Sequence, residues 1–331
     1  MNPAVKAYLI EQVDGAVRAG FTTLAADALD PGEVEVRVDY ASVNYKDALA
    51  ATGRGKIIRR FPCVGGIDAA GVVERSDSPR FAAGDAVIVH SWGFGVSHHG
   101  GYAERARVPA DWVNHVPEGL TPLDAITLGV AGYTAALAVD LMLLNGCAPA
   151  RGPVLVNGAT GGVAGVAIDM LAQLGFEVVA ATSKADQADY LLGLGARRVI
   201  DAPAPKGEKP RPLESAQWAA AVDSLGGEPL AALIPRMDKD AVIASIGNAA
   251  GIAFSTTVMP FILRGVRLIG VNSDNDVATR ERLWRRLATD LKPRHLAQLR
   301  QVLPFAELPA VMDALIAGRH RGRTVIRIGA A

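Results

Sequence analysis

Residues 157–165 read NGATGGVAG and separate two apolar runs. Small residues between a strand and a helix let the phosphates of a nucleotide approach the backbone closely. The stretch departs from the G-x-G-x-x-G pattern, because Ala159 and Ala164 stand where the first and third glycines are expected. It predicts a strand that ends near Asn157 and a helix that begins near Gly161, with no positive φ angle required at Ala159.

The start of this helix supplies groups that suit a dinucleotide pyrophosphate. We expect contacts through backbone N–H groups and the positive end of the helix, at Thr160, Gly161, Gly162 and Val163. Thr160 is expected either to cap the helix or to donate its hydroxyl group to a phosphate. The alternative is a strand, turn and helix that bind no ligand, which the surrounding βαβ pattern disfavours.

Strand-like runs alternate with helix-like runs from about residue 125 onward. The helix-like run after the glycine turn has its apolar residues on one face, and Gly175 is expected as its C-cap. The predicted strands are 154–157, 177–183, 198–201, 219–225, 241–247 and 266–273. This α/β alternation predicts a doubly wound parallel sheet.

The first third of the chain is predicted to be rich in β-strands. Residues 33–43 alternate polar and apolar side chains, and 69–91 read as two strands around a turn. A last strand, 323–328, is expected to return to this domain. We therefore predict a β-rich domain formed by residues 1–123 with 275–331, and a nucleotide-binding domain formed by residues 124–274.

Composition limits the function classes. The 331 residues include 34 basic and 34 acidic side chains, so there is no basic excess and we expect no nucleic-acid partner. The two cysteines, Cys63 and Cys147, indicate no disulfide framework. The N-terminal residues lack the long apolar run of a signal peptide, and we expect a cytoplasmic protein.

Residues 125–144 are apolar and about long enough to span a membrane. However, Asp140 lies within the run, and Thr121 and Pro122 are typical of the first turn of a helix. An aspartate costs about 2.5–3.5 kcal/mol at the centre of a membrane helix. We therefore interpret the run as a buried helix and expect no membrane partner.

The end of the second strand of the predicted sheet bears on the choice of nucleotide. NAD enzymes usually place an acidic side chain there, on the ribose 2′-hydroxyl. Residues 180–184 read AATSK and contain no acid. Thr182, Ser183 and Lys184 offer hydroxyl groups and an ammonium group, which suit a 2′-phosphate and favour NADP(H). A solvated lysine on a loop is the alternative.

Stretches distributed along the whole chain resemble one family. They are SVNYKDALAATGRGKI (42–57), GIDAAGVV (66–73), GGYAERARV (100–108), the glycine turn with its helix, and TTVMPFILRGVRLIGVNS (256–273). The combination resembles the medium-chain dehydrogenase/reductase superfamily, and within it the zinc-independent acryloyl-CoA reductase subgroup, often called quinone oxidoreductase-like. The resemblance implies a GroES-like β-rich catalytic domain, a Rossmann nucleotide-binding domain and a homodimer.

The same resemblance bears on a metal site. Zinc members of the superfamily place a cysteine where this chain has Asn44 and a histidine where it has Ile67, and neither replacement completes the usual ligand set. The four closely spaced cysteines of a structural zinc lobe are also absent from the sequence. His98 and His99 are interpreted as exposed residues of a glycine-rich loop. We therefore expect no metal.

Without a metal, a side chain must stabilise the charge that develops on the substrate carbonyl oxygen. Tyr45 is expected to donate to this oxyanion or to contact the nicotinamide side of the cofactor. Asp47 and Asp68 are expected to orient Tyr45 or to relay the proton that reaches the α-carbon. Tyr45 and Asp47 would face one side if their segment is extended. A structural role for Asp68 and a partly buried ring with a satisfied hydroxyl for Tyr45 stay open as alternatives.

Further contacts follow from the resemblance. The cofactor contacts that it implies are Gly247, Asn248, Ile262, Ser273, and Arg319 or Arg323. A basic cluster next to the NYKD stretch is expected either to form a solvated loop or to bind the phosphates of a CoA ester. Its members are Arg54, Lys56, Arg59 and Arg60.

These observations together predict an NADPH-dependent reductase that acts on the activated C=C bond of a 2-enoyl thioester without zinc. Acryloyl-CoA, which gives propanoyl-CoA, is the leading substrate. An NADPH:quinone oxidoreductase is the rival within the enzyme class. A non-catalytic NADPH-binding sensor or structural protein is the rival outside that class.

Overall fold

The computed structural model describes residues 4–202 and 211–329 of the chain. The backbone separates into two compact units. Unit 1 comprises Met1–Val130, Asp274–Ala288 and Leu299–Ala331, and unit 2 comprises Ala131–Ser273 and Thr289–Gln298.

The elements of the described residues are numbered in chain order. The strands are β1 Ala4–Val13, β2 Ala16–Ala25, β3 Val34–Val43, β4 Cys63–Val64, β5 Asp68–Ser76, β6 Ala86–His90, β7 Arg105–Val108, β8 Val113–His115, β9 Val154–Asn157, β10 Val178–Thr182, β11 Arg198–Asp201, β12 Trp218–Asp223, β13 Met237–Ser245, β14 Arg267–Gly270, β15 Arg300–Pro304 and β16 Arg323–Arg327. The helices are α1 Tyr45–Thr52, α2 Pro122–Leu144, α3 Gly162–Gln173, α4 Ala188–Gly193, α5 Gly227–Leu233, α6 Met259–Arg264, α7 Val277–Ala288, α8 Leu296–Leu299 and α9 Leu308–Ile316.

The larger sheet of unit 1 has the strand order β15-β16-β3-β5-β6-β8, and β7 also pairs with β3. Along β3 the buried side chains of Val34, Val36 and Val38 alternate with more exposed residues, as the two-residue period of a strand requires. β16 pairs with β3 in antiparallel register, so the last strand returns to this unit as expected. The pairing brings Arg323, the first residue of β16, to the C-terminal end of β3.

The sheet of unit 2 has the strand order β11-β10-β9-β12-β13-β14, and its neighbouring strands run parallel. This order confirms the predicted doubly wound sheet. The order reverses between β9 and β12, and such sheets bind ligands outside the carboxyl ends of the strands at this point. Asn157 and Asp223, the last residues of β9 and β12, therefore lie at the edge where a ligand is expected.

Residues 289–298 belong to unit 2, whereas the predicted domain boundary at 275 assigns them to the β-rich domain. One contact that joins them to the rest of unit 2 is the buried carboxylate of Asp169 on α3. It accepts hydrogen bonds from the backbone N–H groups of Arg294 at 3.1 Å and His295 at 2.8 Å. No periodic pattern in the sequence marks such a contact.

Helix α2 starts as predicted and breaks at Gly129, whose φ and ψ angles are 52° and −153°. The hydroxyl of Thr121 accepts the N–H of Asp124 at 3.1 Å, which is the expected helix cap. By length and composition α2 could cross a membrane, but 78% of its most apolar window is buried within the structure. Asp140, within this helix, is also buried.

Candidate active-site and cofactor-binding residues

Asp68, the first residue of β5, is completely buried and lies at the centre of a polar network in unit 1. Its carboxylate accepts the N–H of Ser42 at 3.1 Å and the Ser42 hydroxyl at 2.6 Å. The side-chain amide of Asn44 donates to it at 3.3 Å, and the N–H of Val130 donates at 2.9 Å. Because these donors fill the carboxylate, Asp68 holds other groups in place and does not face solvent.

Arg323 supplies the positive charge of the same network. Its guanidinium nitrogen lies 3.9 Å from the Asp68 carboxylate and donates to Ser42 Oγ at 2.6 Å. The other nitrogens donate to the Thr127 carbonyl at 2.9 Å and to Asn44 Oδ1 at 3.0 Å. Burial lowers the pKa of Arg323, while the nearby carboxylates oppose this shift. The structure thus places this candidate cofactor contact inside the network, with a side chain only 2% exposed.

Tyr45 and Asp47 do not face one side, because their segment forms the first turn of α1 and is not extended. Tyr45 is 41% exposed, whereas Asp47 is 2% exposed. The Asp47 carboxylate accepts the backbone N–H of Asn44 at 2.9 Å and the N–H of Ile67 at 3.0 Å. This is the reciprocal half of a capping box, which the N-x-x-D spacing of NYKD could have revealed.

The electrostatics of this network favour neutral forms of two buried groups. Burial and, next, the charge of Asp68 raise the pKa of Asp47 to about 7, although the N–H donors of Asn44 and Ile67 oppose the shift. Burial also raises the pKa of Tyr102 well above its usual value, with further contributions from both carboxylates. The Tyr102 hydroxyl donates to the Ser42 carbonyl at 3.0 Å and braces the end of β3.

The two positions that bear on zinc are occupied by other interactions. The Asn44 amide bonds to Asp68 and Arg323, and Ile67 is buried. Among the described residues, no group of three or more His, Cys, Asp or Glu side chains could hold a metal ion. The expectation that His98 and His99 are exposed is wrong. His99 accepts the N–H of Val64 at 3.0 Å, because its loop packs against β4.

The glycine turn of unit 2 joins β9 to α3 as predicted. The positive φ angle falls at Gly158, where it is 59°, and not at Ala159. Gly161 is extended and forms the N-cap of α3 without a side-chain hydrogen bond. Thr160 therefore does not cap the helix, because the helix begins one residue later than a threonine cap requires. Its contact with a phosphate stays a prediction.

The segment that bears on NADP follows β10. Thr182 is buried and its hydroxyl accepts the N–H of Lys184 at 3.1 Å, while Ser183 is exposed. Burial lowers the pKa of Lys184, and Asp186 opposes this shift. Asp201, the last residue of β11, lies opposite Thr182 in the sheet. Asp201 is thus a second acidic residue near this strand end, in addition to Asp186. The sequence alone did not reveal it, because its position depends on strand pairing.

The contacts implied by the resemblance occupy different surroundings. Gly247 follows β13, and a Cβ atom there would lie 2.5 Å from the Ser224 carbonyl oxygen, so glycine is required. Asn248 is exposed, Ile262 is 70% exposed on α6, and Ser273 is partly buried after β14. Arg319, the alternative to Arg323, is exposed in unit 1.

The basic residues after NYKD differ in their contacts. Arg54, Lys56, Arg59 and Arg60 are all exposed, but Arg60 forms an ion pair with Asp30. His98 and His99 also approach the Asp30 carboxylate, at 3.9 and 3.8 Å. Arg60 is thus part of a local cluster that fixes its loop, which leaves the other three basic side chains as candidates for phosphate contacts.

Residues 30–118 match the family model of the alcohol dehydrogenase GroES-like domain. The acrylyl-CoA reductase AcuI of Ruegeria pomeroyi is 41% identical over 321 residues, which are 97% of this chain and 97% of the relative. The chain belongs to this family of the medium-chain dehydrogenase/reductase superfamily. The resemblance seen in the sequence is confirmed, and the β-rich and doubly wound sheets are those of its GroES-like and Rossmann folds.

Solved structures support the same assignment. The yhdH oxidoreductase of Salmonella enterica, in complex with NADP, is 43% identical with a TM-score of 0.94, over 98% of this chain and 100% of that chain. The Bacillus subtilis protein yhfP, with NAD bound, is 38% identical with a TM-score of 0.94, over 98% and 99% of the two chains. Relatives of similar fold thus bind either nucleotide.

The raised pKa of Asp47 predicts a pH dependence of stability. Its contribution is fully present below the unfolded pKa of 3.8 and is lost as pH rises through about 7. We expect the free energy of unfolding of the parent, relative to the Asp47→Asn variant, to fall by a few kcal/mol at most between about pH 4 and 7. Denaturant unfolding of both proteins across this pH range measures the difference. A difference that is flat with pH, or that rises, would contradict the assignment.

Proposed function

We propose that this chain is an NADPH-dependent reductase of the activated C=C bond of a 2-enoyl thioester, acting without zinc. Acryloyl-CoA is the proposed substrate and propanoyl-CoA the product. The observation that carries the proposal is the match, along 97% of both chains, to an enzyme named for the reduction of acrylyl-CoA. The residues of each unit support it separately.

The glycine turn fits a dinucleotide. The first N–H groups of α3, at Gly162, Val163 and Ala164, have no partner within the helix and point toward its N-terminal end. A Cβ atom at Gly161 would lie 3.1 Å from the Gly158 carbonyl oxygen, so the absence of a side chain at Gly161 lets the turn close tightly. The buried Ser224 Oγ has no hydrogen-bond partner among the described residues and could meet a ligand. NADP(H), when bound, supplies the hydride that the β-carbon of the thioester receives.

Tyr45 is the proposed catalytic side chain of unit 1. It is exposed at the first position of α1, and its hydroxyl can donate to the thioester oxygen as negative charge develops there. Asp47 and Asp68 are proposed as positioning residues, since both are buried and hold the start of α1 and the end of β3. The α-carbon then takes a proton from water or from a side chain, which completes the saturated thioester.

The absence of zinc from the proposed mechanism is supported by the contacts of Asn44. An amide that donates to Asp68 and accepts from Arg323 is fully engaged and is a poor zinc ligand. The guanidinium of Arg323 supplies a fixed positive charge to this network. The network therefore needs no metal ion to balance Asp68.

The thioester is favoured over a quinone because of charge. Arg54, Lys56 and Arg59 are exposed and close together in sequence, and a CoA ester carries phosphates that they could bind, whereas a quinone carries none. The non-catalytic alternative, a sensor or structural protein, would bind NADPH without turnover.

We further propose that the chain forms a homodimer through unit 2 and acts in the cytoplasm. Among the described residues β14 is an edge strand of its sheet, and such an edge can pair with another chain. Exposed apolar side chains lie on the segment before it and on α6, and they are Ile252, Phe254, Val258, Ile262 and Leu263. Such a patch is typical of a protein interface. Its location in the nucleotide-binding unit agrees with the dimer implied by the family.

The substrate proposal is tested by the steady-state oxidation of NADPH with acryloyl-CoA, crotonyl-CoA and 1,4-benzoquinone in parallel. We expect the highest kcat/KM with acryloyl-CoA and no change after treatment with a chelator. Turnover confined to benzoquinone would overturn the thioester proposal, and NADPH binding without any turnover would favour the non-catalytic alternative.

In the Tyr45→Phe variant, kcat should fall by at least about tenfold while the Kd for NADPH is unchanged.

The choice of NADPH is tested with the Lys184→Asp variant. We expect the ratio of kcat/KM for NADPH over NADH to fall by at least about tenfold, because one charge-assisted hydrogen bond is replaced by repulsion. Lys239→Asp is the matched control, since Lys239 is exposed on β13 in the same unit and the same charge is reversed. If Lys184→Asp keeps the parental ratio, this strand end does not select the nucleotide.

The dimer is tested by sedimentation of the Leu263→Glu and Leu192→Glu variants. Leu263 lies in the apolar patch, whereas Leu192 is exposed on α4, which packs against β11 at the opposite edge of the sheet. We expect the parent and Leu192→Glu to sediment as dimers and Leu263→Glu to shift toward monomer, because a buried charge opposes association. A monomeric parent, or identical behaviour of the two variants, would contradict the proposed interface.

A further inference from the structure

A hydrogen-bonded pair links the ends of two neighbouring strands at the carboxyl edge of the sheet in unit 2. Asn157 ends β9 and Asp223 ends β12, and both side chains are buried. The Asn157 amide donates to Asp223 Oδ1 at 2.5 Å, and Asn157 Oδ1 accepts the N–H of Ser224 at 2.7 Å. Asn157 is the first residue of the NGATGGVAG stretch, but the sequence pattern assigned it no role.

Asp223 collects further bonds from the segment that follows it. Its carboxylate accepts the N–H of Gly226 at 3.1 Å and that of Leu225 at 3.3 Å. The Ser245 hydroxyl, at the end of β13, donates to it at 3.4 Å. One carboxylate therefore connects the ends of β9, β12 and β13.

The segment held by Asp223 touches the glycine turn on one side. A Cβ atom at Gly158 would lie 3.2 Å from Leu225 Cδ2 and 3.3 Å from Ser224 Cβ. The turn that presents the N-terminus of α3 thus rests on residues 224 and 225. Movement of that segment would shift the turn, because protein interiors leave little free space.

The same segment touches the loop after β13 on its other side. The Ala250 N–H donates to the Leu225 carbonyl at 2.8 Å, and the Ile246 N–H donates to the Asp223 carbonyl at 2.8 Å. A Cβ atom at Gly247 would lie 2.5 Å from the Ser224 carbonyl oxygen. The glycine turn and the loop at 247–250 are therefore separated by one hydrogen-bonded segment, residues 223–226.

We propose that Asn157 and Asp223 are positioning residues that set the spacing between the pyrophosphate-binding turn and the loop after β13, and thereby the affinity for the dinucleotide. The inference rests on the proposed function. The amide at position 157 suits this role because it donates to Asp223 and accepts from the Ser224 N–H at once without adding charge. A second carboxylate there would place two negative charges in hydrogen-bond contact.

The test compares Asn157→Asp, Asp223→Asn and the double variant that exchanges the two side chains. In the exchanged pair, the carboxylate at position 157 can accept both from the Ser224 N–H and from the amide at position 223, whose oxygen can still accept from the Gly226 N–H. We expect each single variant to weaken NADPH binding by at least about tenfold, and the exchange to restore the Kd to within about threefold of the parent. Binding is measured by NADPH fluorescence, which needs no turnover.

Kinetics separate positioning from loss of folded protein. A positioning role raises KM for NADPH and leaves KM for acryloyl-CoA unchanged, whereas partial unfolding lowers the apparent kcat and leaves both KM values unchanged. For any variant of low activity, the Tm with and without NADPH makes the same distinction. A positioning role reduces the increase in Tm that NADPH causes, whereas a loss of stability lowers the Tm without NADPH. Asn145→Asp is the matched control, because the Asn145 side chain donates to the Leu141 carbonyl at 2.9 Å, away from this sheet edge.

Single variants that bind NADPH like the parent, or an exchanged variant no better than the singles, would overturn the proposal. If the single variants do not fold, the exchanged variant still decides, since parental affinity in it supports the pair and weak affinity with a folded spectrum contradicts it. A parent that does not bind NADPH would instead refute the proposed function. The two failures are therefore distinguishable.

Discussion

The buried ion pair between Asp68 and Arg323 is the interaction on which the rest of unit 1 depends. Removing a carboxylate and a guanidinium from water costs several kcal/mol per ion, and only close partners offset that cost. Here the partners come from the end of β3, the starts of β5 and β16, and the break in α2. The pair therefore determines where those elements meet. Loss of either charge would leave the other buried without its counter-charge.

Gly129 shows how strongly this pair restricts the surrounding backbone. Its φ angle of 52° is in the region that favours glycine, and a Cβ atom there would collide with the Asp68 carboxylate. The break in α2 turns the backbone so that the Val130 N–H donates to Asp68. The sequence shows a glycine inside an apolar helix, but only the fold shows that the helix opens there to satisfy a buried charge.

Sequence patterns predicted the sheets well because strand and helix periodicity is local. The alternation after residue 125 was sufficient for the doubly wound sheet, and the positions of Asn157 and Gly161 followed from it. The network around Asp68 could not be predicted in this way, because its partners are distant in sequence. Asp68 lies 26 residues from Ser42 and 62 residues from Val130, and Ser42 lies 281 residues from Arg323. One local signal was missed: NYKD carries a capping box, and this spacing places Asp47 inward and Tyr45 outward.

Both units place an asparagine beside a buried carboxylate, and the same chemistry explains both. Asn44 donates to Asp68 and accepts from Arg323, and Asn157 donates to Asp223 and accepts from Ser224. An amide side chain does both without adding charge, because its donor and acceptor are separate atoms. The two cases differ in what balances the carboxylate. The positive charge of Arg323 balances Asp68. The groups described above that donate to Asp223 are backbone N–H groups, an amide and a hydroxyl.

This difference has a consequence for a bound anion. A cation beside Asp223 would neutralise the carboxylate but would also compete with the N-terminus of α3 for phosphate. Neutral donors instead satisfy the carboxylate without adding positive charge. The partial positive charge at the N-terminus of α3 then has no nearby competitor for a phosphate. The neutral amide at position 157 keeps the buried charge of the pair at one unit. We therefore expect the pair to tolerate an exchange of its side chains, which preserves that single charge, better than the addition of a second carboxylate.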